Sequence, residues 1–359
     1  MTPRATASQN RASAITVFLG RLRPPTTTLT VRPLGAVVIL AAVAIYPLIF
    51  TTSFWRNVGI LSLVFAIAGV GWNILGGYTG QVSFGNAVFF GAGGYTTAIL
   101  VKAGWNPWLT MVIGAVIASV IGIMIGFPSF RLRSHYFAIA TIAVGEIAET
   151  IVNANAALGS SSGINIPIKD NSLANLQFAA TDTTAYYYVA FALFALASIV
   201  MWLFVRGRAG AYAKSIRDDQ TAAEAVGVPV RRYKLLAVAL SGAVTAVAGS
   251  FYVMYVLFVD PSLVFDIQVS IDIVLIVILG GAGTFWGPLV GAWALTVLQE
   301  YTLQQLGSSI SGLDLFLFGL LIVVVVIIEP GGLIALFDRV GWMVRRRFRG
   351  TMILEKDRA

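Results

Sequence analysis

Five long, almost charge-free apolar runs constrain this chain more than any other feature: Leu34–Phe50, Val58–Leu75, Ala185–Val205, Leu235–Phe258 and Leu313–Ile328. A helix needs about 20 mostly apolar residues to cross the hydrocarbon of a bilayer. Only structures that satisfy their backbone hydrogen bonds internally are tolerated there. A soluble domain instead breaks its apolar residues into short periodic stripes. Here 58% of 359 residues are hydrophobic and the mean hydropathy is +0.84. The chain reads as an all-α polytopic membrane protein.

Span counting gives helices near 34–50, 58–76, 84–101, 107–128, 135–153, 185–205, 235–258, 263–280, 288–306 and 313–329. The charges sit between and beyond these segments. Basic stretches are Arg131–Arg133, the 206–234 segment and a tail with Arg345, Arg346, Arg347 and Arg349. With the N-terminus inside and ten spans, all of them fall on the cytoplasmic side, as membrane proteins prefer; nine spans would put the basic tail outside. The 154–184 loop, with only Lys169, Asp170 and Asp182 charged, then lies outside. Residues 1–33 carry five arginines and no acid, without apolar periodicity, and read as a disordered cytoplasmic tail. Residues 34–340 form the membrane domain and 341–359 a second cytoplasmic tail. The net charge of +8 is explained by this loop pattern, which argues against nucleic-acid binding.

Two glycine-rich interruptions, "ILGGYTGQVSFGN" (Ile74–Asn86) and "ILGGAGTFWGP" (Ile278–Pro288), each follow one apolar segment and precede another. Gly76, Gly77 and Gly80 mark the first, and Gly280, Gly281 and Gly283 the second. Each is either a tight turn or an unwound crossover buried in protein or lining a cavity. Their likeness suggests a decayed internal repeat, which transporter folds often contain.

The remaining anomaly is "GRAGAYAKSIRDDQTAAEAVGVPVRRYKLL" (Gly207–Leu236), where charge is concentrated in a chain with 11% charged residues. Within it, "DDQTAAEAVGVP" reads as a two-turn helix. Asp218 or Asp219 caps its start, Gly227 suits the left-handed position after its end, and Pro229 stops continuation. Isolated helices below about 12–15 residues are marginal in water, so this one must lean on something. Ala222, Ala223, Ala225 and Val226 give it a small-residue surface suited to a groove, with Glu224 and Arg217 at the rim.

The stretch "SIRDDQTAAEAVGVPVRRYKLLAVALSGAVTAVAG" resembles the cytoplasmic coupling segment of ABC importer permeases, and more narrowly the LivM type of branched-chain amino-acid permease. "GGYTGQVSFGNAVFFGAGGY", "FRLRSHYFAIATIAVGEI", "VILGGAGTFWGPLVGA" and "EPGGLI" match the same pattern in the same order, over roughly 58–335. The chain departs from it at "LGSSSGI" (Leu158–Ile164), His135 and Glu329. The resemblance implies a prokaryotic inner-membrane subunit that pairs with a second, LivH-like permease, two cytoplasmic ATPases and an extracytoplasmic solute-binding protein. It implies that Arg217, Asp218, Asp219, Ala222, Ala223, Glu224, Ala225 and Gly227 form the ATPase-coupling helix. ATP and magnesium would sit on the partners, with no cofactor on this chain; relatives carry urea, amides and aromatic acids as well as amino acids.

The chain itself lacks a Walker A site, which needs Gly-Lys before Ser or Thr; none of its five lysines follows glycine. It has no cysteine and a single histidine, His135, which removes thiolate and paired-histidine metal motifs. Candidate pathway residues are Thr79, Gln81, Ser83 and Asn86, whose neutral groups either meet a polar solute or satisfy the turn's own backbone. Glu146 and Glu149, at i and i+3 near "GEI", share one helix face. Intramembrane carboxylates usually face a cavity or the bundle interior, so Glu146 is a pathway candidate, with structural pairing the other reading. A stand-alone secondary transporter or channel is the alternative function; it would be expected to carry more intramembrane charges for ion coupling.

Overall fold

A computed structural model describes residues 33–130, 134–179, 183–306, 319–320 and 331–335, with no side-chain description for 33–37, 134–135, 157 and 303–306. The N-terminal tail, Arg131–Arg133, the span expected at 313–329, Glu329 and the basic C-terminal tail lie outside these residues, as does the His135 side chain. Apart from Pro33–Leu40 at the start of the first helix, the features below belong to one compact unit, Ala41–Phe337.

The described chain is almost entirely helical, as its apolar runs require. In order it forms α1 (Pro33–Ile49), α2 (Ser53–Trp72), α3 (Asn86–Lys102), α4 (Pro107–Ser129), α5 (Ser134–Ala154) and α6 (Thr183–Arg206). Two short helices follow, α7 (Arg208–Asp218) and α8 (Gln220–Ala225). Then come α9 (Val230–Val256), the single turn α10 (Pro261–Val264), α11 (Ile267–Gly280) and α12 (Gly287–Leu306). Six segments among the described residues are long and apolar enough to cross a membrane: 53–77, 107–129, 136–154, 183–206, 230–256 and 261–280. A shorter apolar helix covers Val38–Ile49. The chain is an all-α polytopic membrane protein.

Helix starts follow the capping signals of the sequence. Asn106 accepts from the Trp108 N–H at 2.9 Å, with Pro107 in the first turn. Asp260 and Asp266 do the same for Leu263 (2.7 Å) and Gln268 (2.6 Å), so these boundary carboxylates are helix caps.

At the centre stands α2, nearly all of it buried, packed against α6, α9, α11 and α12. Helix α9 is the second pillar and lies against α3 and α4. Small residues make these crossings close, the usual device where lipid leaves no hydrophobic force between helices. A Cβ on Gly93 would meet the Ala246 backbone, and one on Gly249 the Phe90 carbonyl. The same holds between α11 and α12, where Gly291 faces the Ile276 carbonyl and Gly280 that of Gly287. Tyr46 anchors the end of α1, donating to the Trp55 carbonyl at 2.8 Å and meeting the Trp293 ring edge-on at 4.5 Å.

The 154–184 loop carries more structure than its polarity suggests. Ile164–Asn165 pairs antiparallel with Phe258–Val259, just after Leu257 ends α9 in a left-handed conformation (φ +60°). Gln177, buried, donates to the Pro167 carbonyl at 3.0 Å and accepts from the Lys169 N–H at 2.7 Å.

Helix α5 is the exception to this packing. Most of its surface is uncovered, and Tyr136, Ile139, Ile147 and Ile151 are exposed along it.

Candidate functional site

The two glycine-rich breaks, 200 residues apart in the chain, meet in space. The first begins as a π turn, Asn73–Gly77, that ends α2, and then runs irregularly to the start of α3. Such turns are rare and cluster at functional sites. The second follows α11, with Gly281 at φ +123° and Gly283 at φ +75°, conformations that L side chains resist. Asn73, wholly buried, joins them: its Oδ1 accepts from the Gly283 N–H at 2.8 Å and its Nδ2 donates to the Thr284 carbonyl at 2.8 Å. A third glycine motif arrives at the same place. Cβ atoms on Gly281 and Gly332 would lie 2.9 Å from the Gly331 carbonyl oxygen and 2.6 Å from the Gly281 nitrogen. At Gly76, Gly77, Gly280 and Gly281 both breaks are buried in protein, while Gly80 and Gly283 are partly exposed.

The charged segment roots itself on this junction. Its helical part comprises two helices, not one. The backbone turns extended at Asp219 (φ −158°, ψ 111°), which ends α7 and begins α8. Asp219, not Asp218, is the cap, accepting from the Ala222 N–H at 3.0 Å. Asp218 is exposed and lies 3.6 Å from Arg217. Gly227 adopts φ +84° after the helix, as its position predicts. Short as it is, α8 leans on its own chain: Ala223 is buried with Ile216 and Val230, and Val228 and Tyr233 close the cluster. Ala222, Glu224, Ala225 and Val226 are exposed, Val226 to 80%.

Two basic side chains carry this helix pair into the membrane helices. Arg217 donates through Nη1 to the Gly77 carbonyl at 3.0 Å. Lys234, buried near the start of α9, donates to Gln220 Oε1 at 2.7 Å, and Gln220 in turn donates to Glu224 Oε1 at 3.0 Å. Arg231 lies 3.8 Å over the Phe127 ring at the end of α4, an arrangement attractive to a cation. Between them Phe130, Gln220, Glu224, Val230 and Arg231 line an open cleft of about 120 Å³.

The polar residues of the first break spread out. Thr79 is fully buried and donates to the Leu75 carbonyl, and Gln81 is half-buried, its N–H reaching the same carbonyl at 3.3 Å. Ser83 accepts on its backbone carbonyl from the Trp72 indole at 2.7 Å. It also lines a narrow crevice beside α5, with Phe89, Phe137, Thr141 and Val238, with room for about one water. Asn86 is fully buried, with its Nδ2 at 3.4 Å from Thr245 Oγ1 and its Oδ1 unpaired. Glu146 stands apart from all of these, exposed on the open side of α5. Among the described residues no three acidic, cysteine or histidine side chains gather as a metal site would require.

Asn73 and Lys234 went unnoticed in the sequence as site residues. Asn73 carried a signal, being the strongest polar group within the run Val58–Leu75. Lys234 carried none, since it continues a basic stretch.

Comparison with known proteins places this arrangement. The family described as "Branched-chain amino acid transport system / permease component" matches residues 54–326, which include both breaks and the charged segment. The LivM permease of the high-affinity branched-chain amino acid transport system of Escherichia coli K12 is 29% identical over 77% of this chain and 69% of its own length. A probable LivM of Methanocaldococcus jannaschii is 23% identical over 76% and 90%. The LivH permease of the same E. coli system is 24% identical over 76% and 91%. No solved structure gives a significant match. With most of its length inside the match, the chain belongs to the branched-chain amino acid transport system permease family.

Proposed function

We propose that the chain is the membrane subunit of an ATP-binding-cassette importer and forms half of the translocation path for branched-chain amino acids. In this reading it hydrolyses nothing itself. Two cytoplasmic ATPases bind ATP and magnesium, a solute-binding protein delivers the substrate outside, and a second, LivH-like permease completes the path. Matches to proteins named both LivM and LivH support such a pair. The chain has ten spans, nine of the described helices and, from its sequence, one at 313–329, with both termini in the cytoplasm. The layout is a basic tail (1–33), a membrane domain (34–340) containing the 206–234 coupling segment and the outer 154–184 loop, and a second tail (341–359).

The observation that carries the reading is the exposure of α8. Only Ala223 of its six residues is buried, yet its neighbours are rooted in α2 and α9 through Arg217 and Lys234. A helix so small and so firmly tied, with a smooth alanine face left open, suits a groove on an ATPase. Closure of the ATPase pair then tilts the membrane helices. The test is purification of the tagged chain from its native membrane in mild detergent. Two ATPases and a second permease are expected with it, and the reconstituted complex with its binding protein should take up leucine, isoleucine or valine only with ATP. A chain recovered alone and active without ATP would support a secondary transporter or channel instead.

Glu146 bears on where the path runs. A carboxylate left facing lipid costs at least about 2.5 kcal/mol, and Glu146 is exposed on the least covered helix of the chain. We place it on a watered surface against the second permease, and of the polar residues of the first break keep Ser83 and Asn86 as path candidates. Glu146→Gln is expected to leave assembly intact and change uptake or substrate preference at least about threefold, a charge–dipole difference of under 1 kcal/mol. Wild-type uptake of every branched-chain substrate would remove it from the path.

A further inference from the structure

The geometry points to Arg217 as a positioning residue that ties the charged segment to both glycine-rich breaks at once, so that displacement of α8 reaches α2 and the α11–α12 turn through one side chain. This rests on the importer reading above. Arg217 occupies the last turn of α7, two residues before the bend at Asp219. Its backbone and stem lie on Gly80: a Cβ there would stand 3.4 Å from the Arg217 Cα and 3.0 Å from its Cγ, at a φ of +71°. Its head donates to the Gly77 carbonyl at 3.0 Å. The same Nη1 lies 2.6 Å from where a Cβ on Gly283 would be. One arginine thus lies against the first break at Gly77 and Gly80 and beside Gly283 of the second, and Gly80 and Gly283 leave it the room.

Its position makes it more than a surface charge. The pair with Asp218 is long, at 3.6 Å, and both side chains are solvent-exposed (39% and 74%); such pairs contribute little. The Gly77 carbonyl ends the π turn, where the helical ladder is interrupted, and a hydrogen bond from a charged donor there is strong. Because Asn73 already clamps Gly283 and Thr284 to α2, a pull on Gly77 moves both breaks together. Lys234 and Gln220 hold the other side of α8, which leaves rotation about the Asp219 bend as the motion Arg217 would read.

The natural chain has no cysteine, so a single Thr79→Cys reports on the first break; Thr79 is fully buried between Gly77 and Gly80. In the assembled complex, R217M is expected to raise the maleimide labelling rate of that cysteine about tenfold, the equilibrium effect of losing one charge-assisted hydrogen bond. R217K, which keeps a donor, should restore most of the protection, and R217Q serves if R217M does not reach the membrane. The same variants should keep their ATPases and continue to hydrolyse ATP while uptake per ATP falls about tenfold. Unchanged labelling overturns the proposal, as does an unchanged uptake-to-hydrolysis ratio. Loss of the ATPases from the variant would also overturn it, making Arg217 a partner contact. If the unmodified chain recovers no ATPases, the importer reading fails, and labelling alone then decides whether Arg217 holds the breaks.

Discussion

Gly249→Val is expected to remove the folded protein from the membrane. Helix α9 crosses α3 at Gly249, where an added Cβ would coincide with the Phe90 carbonyl. The crossing is reciprocal. Gly93 faces the Ala246 backbone, a Cβ on Gly94 would lie 2.8 Å from Val253, and Ser250 donates to the Gly93 carbonyl at 2.9 Å. Obstruction by a side-chain tip is relieved by a rotamer change, but those at Gly249 and Gly93 are backbone. Valine therefore has to drive the helices apart, losing that hydrogen bond and the dispersion contacts that, with such bonds, hold membrane helices together. Two turns earlier on the same face of α9, a Cβ on Gly242 would be 2.8 Å from the Ala118 carbonyl oxygen of α4, so the close packing continues along that stripe. Overpacking by side chains costs about 1–3 kcal/mol, and this case lies at or beyond the upper end. Size-exclusion chromatography and a thermal melt in mild detergent read the effect. Gly145→Ala is the control: nothing lies within 4 Å of its added Cβ, and relief of a mid-helix glycine stabilises by up to about 1 kcal/mol. A Gly249→Val protein that elutes and melts like the unmodified chain would mean the close crossing is wrong.

How much of this was legible in the sequence follows from which forces act locally. Apolar runs and caps are local, so the helices fall within a few residues of expectation, and the Asp219–Gly227 helix appears with its cap and its left-handed glycine in place. The span 263–280 looked short because its Pro261–Val264 turn, capped by Asp260, adds a turn that an apolar run does not reveal. What periodicity could not provide was partnership between distant residues. Nothing in "GGYTG" and "GGAGT" announces that they touch, since glycine contributes by the absence of a side chain and the atom that fills the space belongs to Arg217 or Asn73. The amphipathic helix α7 was also hidden, because its charges read as a loop until Gly210, Ala213 and Ile216 are seen buried on one face. Of the polar residues in the first break, Thr79 and Gln81 engage the Leu75 carbonyl, which favours the backbone-satisfying reading for those two. Ser83, on a crevice, and Asn86, with an unpaired oxygen, keep the pathway reading alive.

Glu224→Arg combined with Gly227→Val is expected to abolish ATP-driven uptake while leaving the chain folded in the membrane. Folding survives because neither position is packed among the membrane helices: Glu224 is exposed, its carboxylate accepting from Gln220, and nothing lies within 4 Å of a Cβ added at Gly227. The local cost is the left-handed φ of +84° at Gly227, which a β-branched residue pays at about 1–2 kcal/mol, enough to refold the turn after α8 without disturbing α9. Arginine at 224 adds a second cation beside Arg231 on the cleft that both residues line. Transport fails because the surface presented by Ala222, Ala225 and Val226 keeps neither its charge nor its angle to the bundle. An ATPase groove that accepts a carboxylate at the rim rejects a guanidinium by several kcal/mol, since like charges brought together in an interface cost that much. The decisive measurement pairs uptake in proteoliposomes with recovery of the ATPases on the tagged chain. Loss of both, in a protein that still elutes as a single species, is the expected result. Unchanged uptake with the ATPases still bound would show that α8 is not the joint, and the exposed alanine face would then need another occupant.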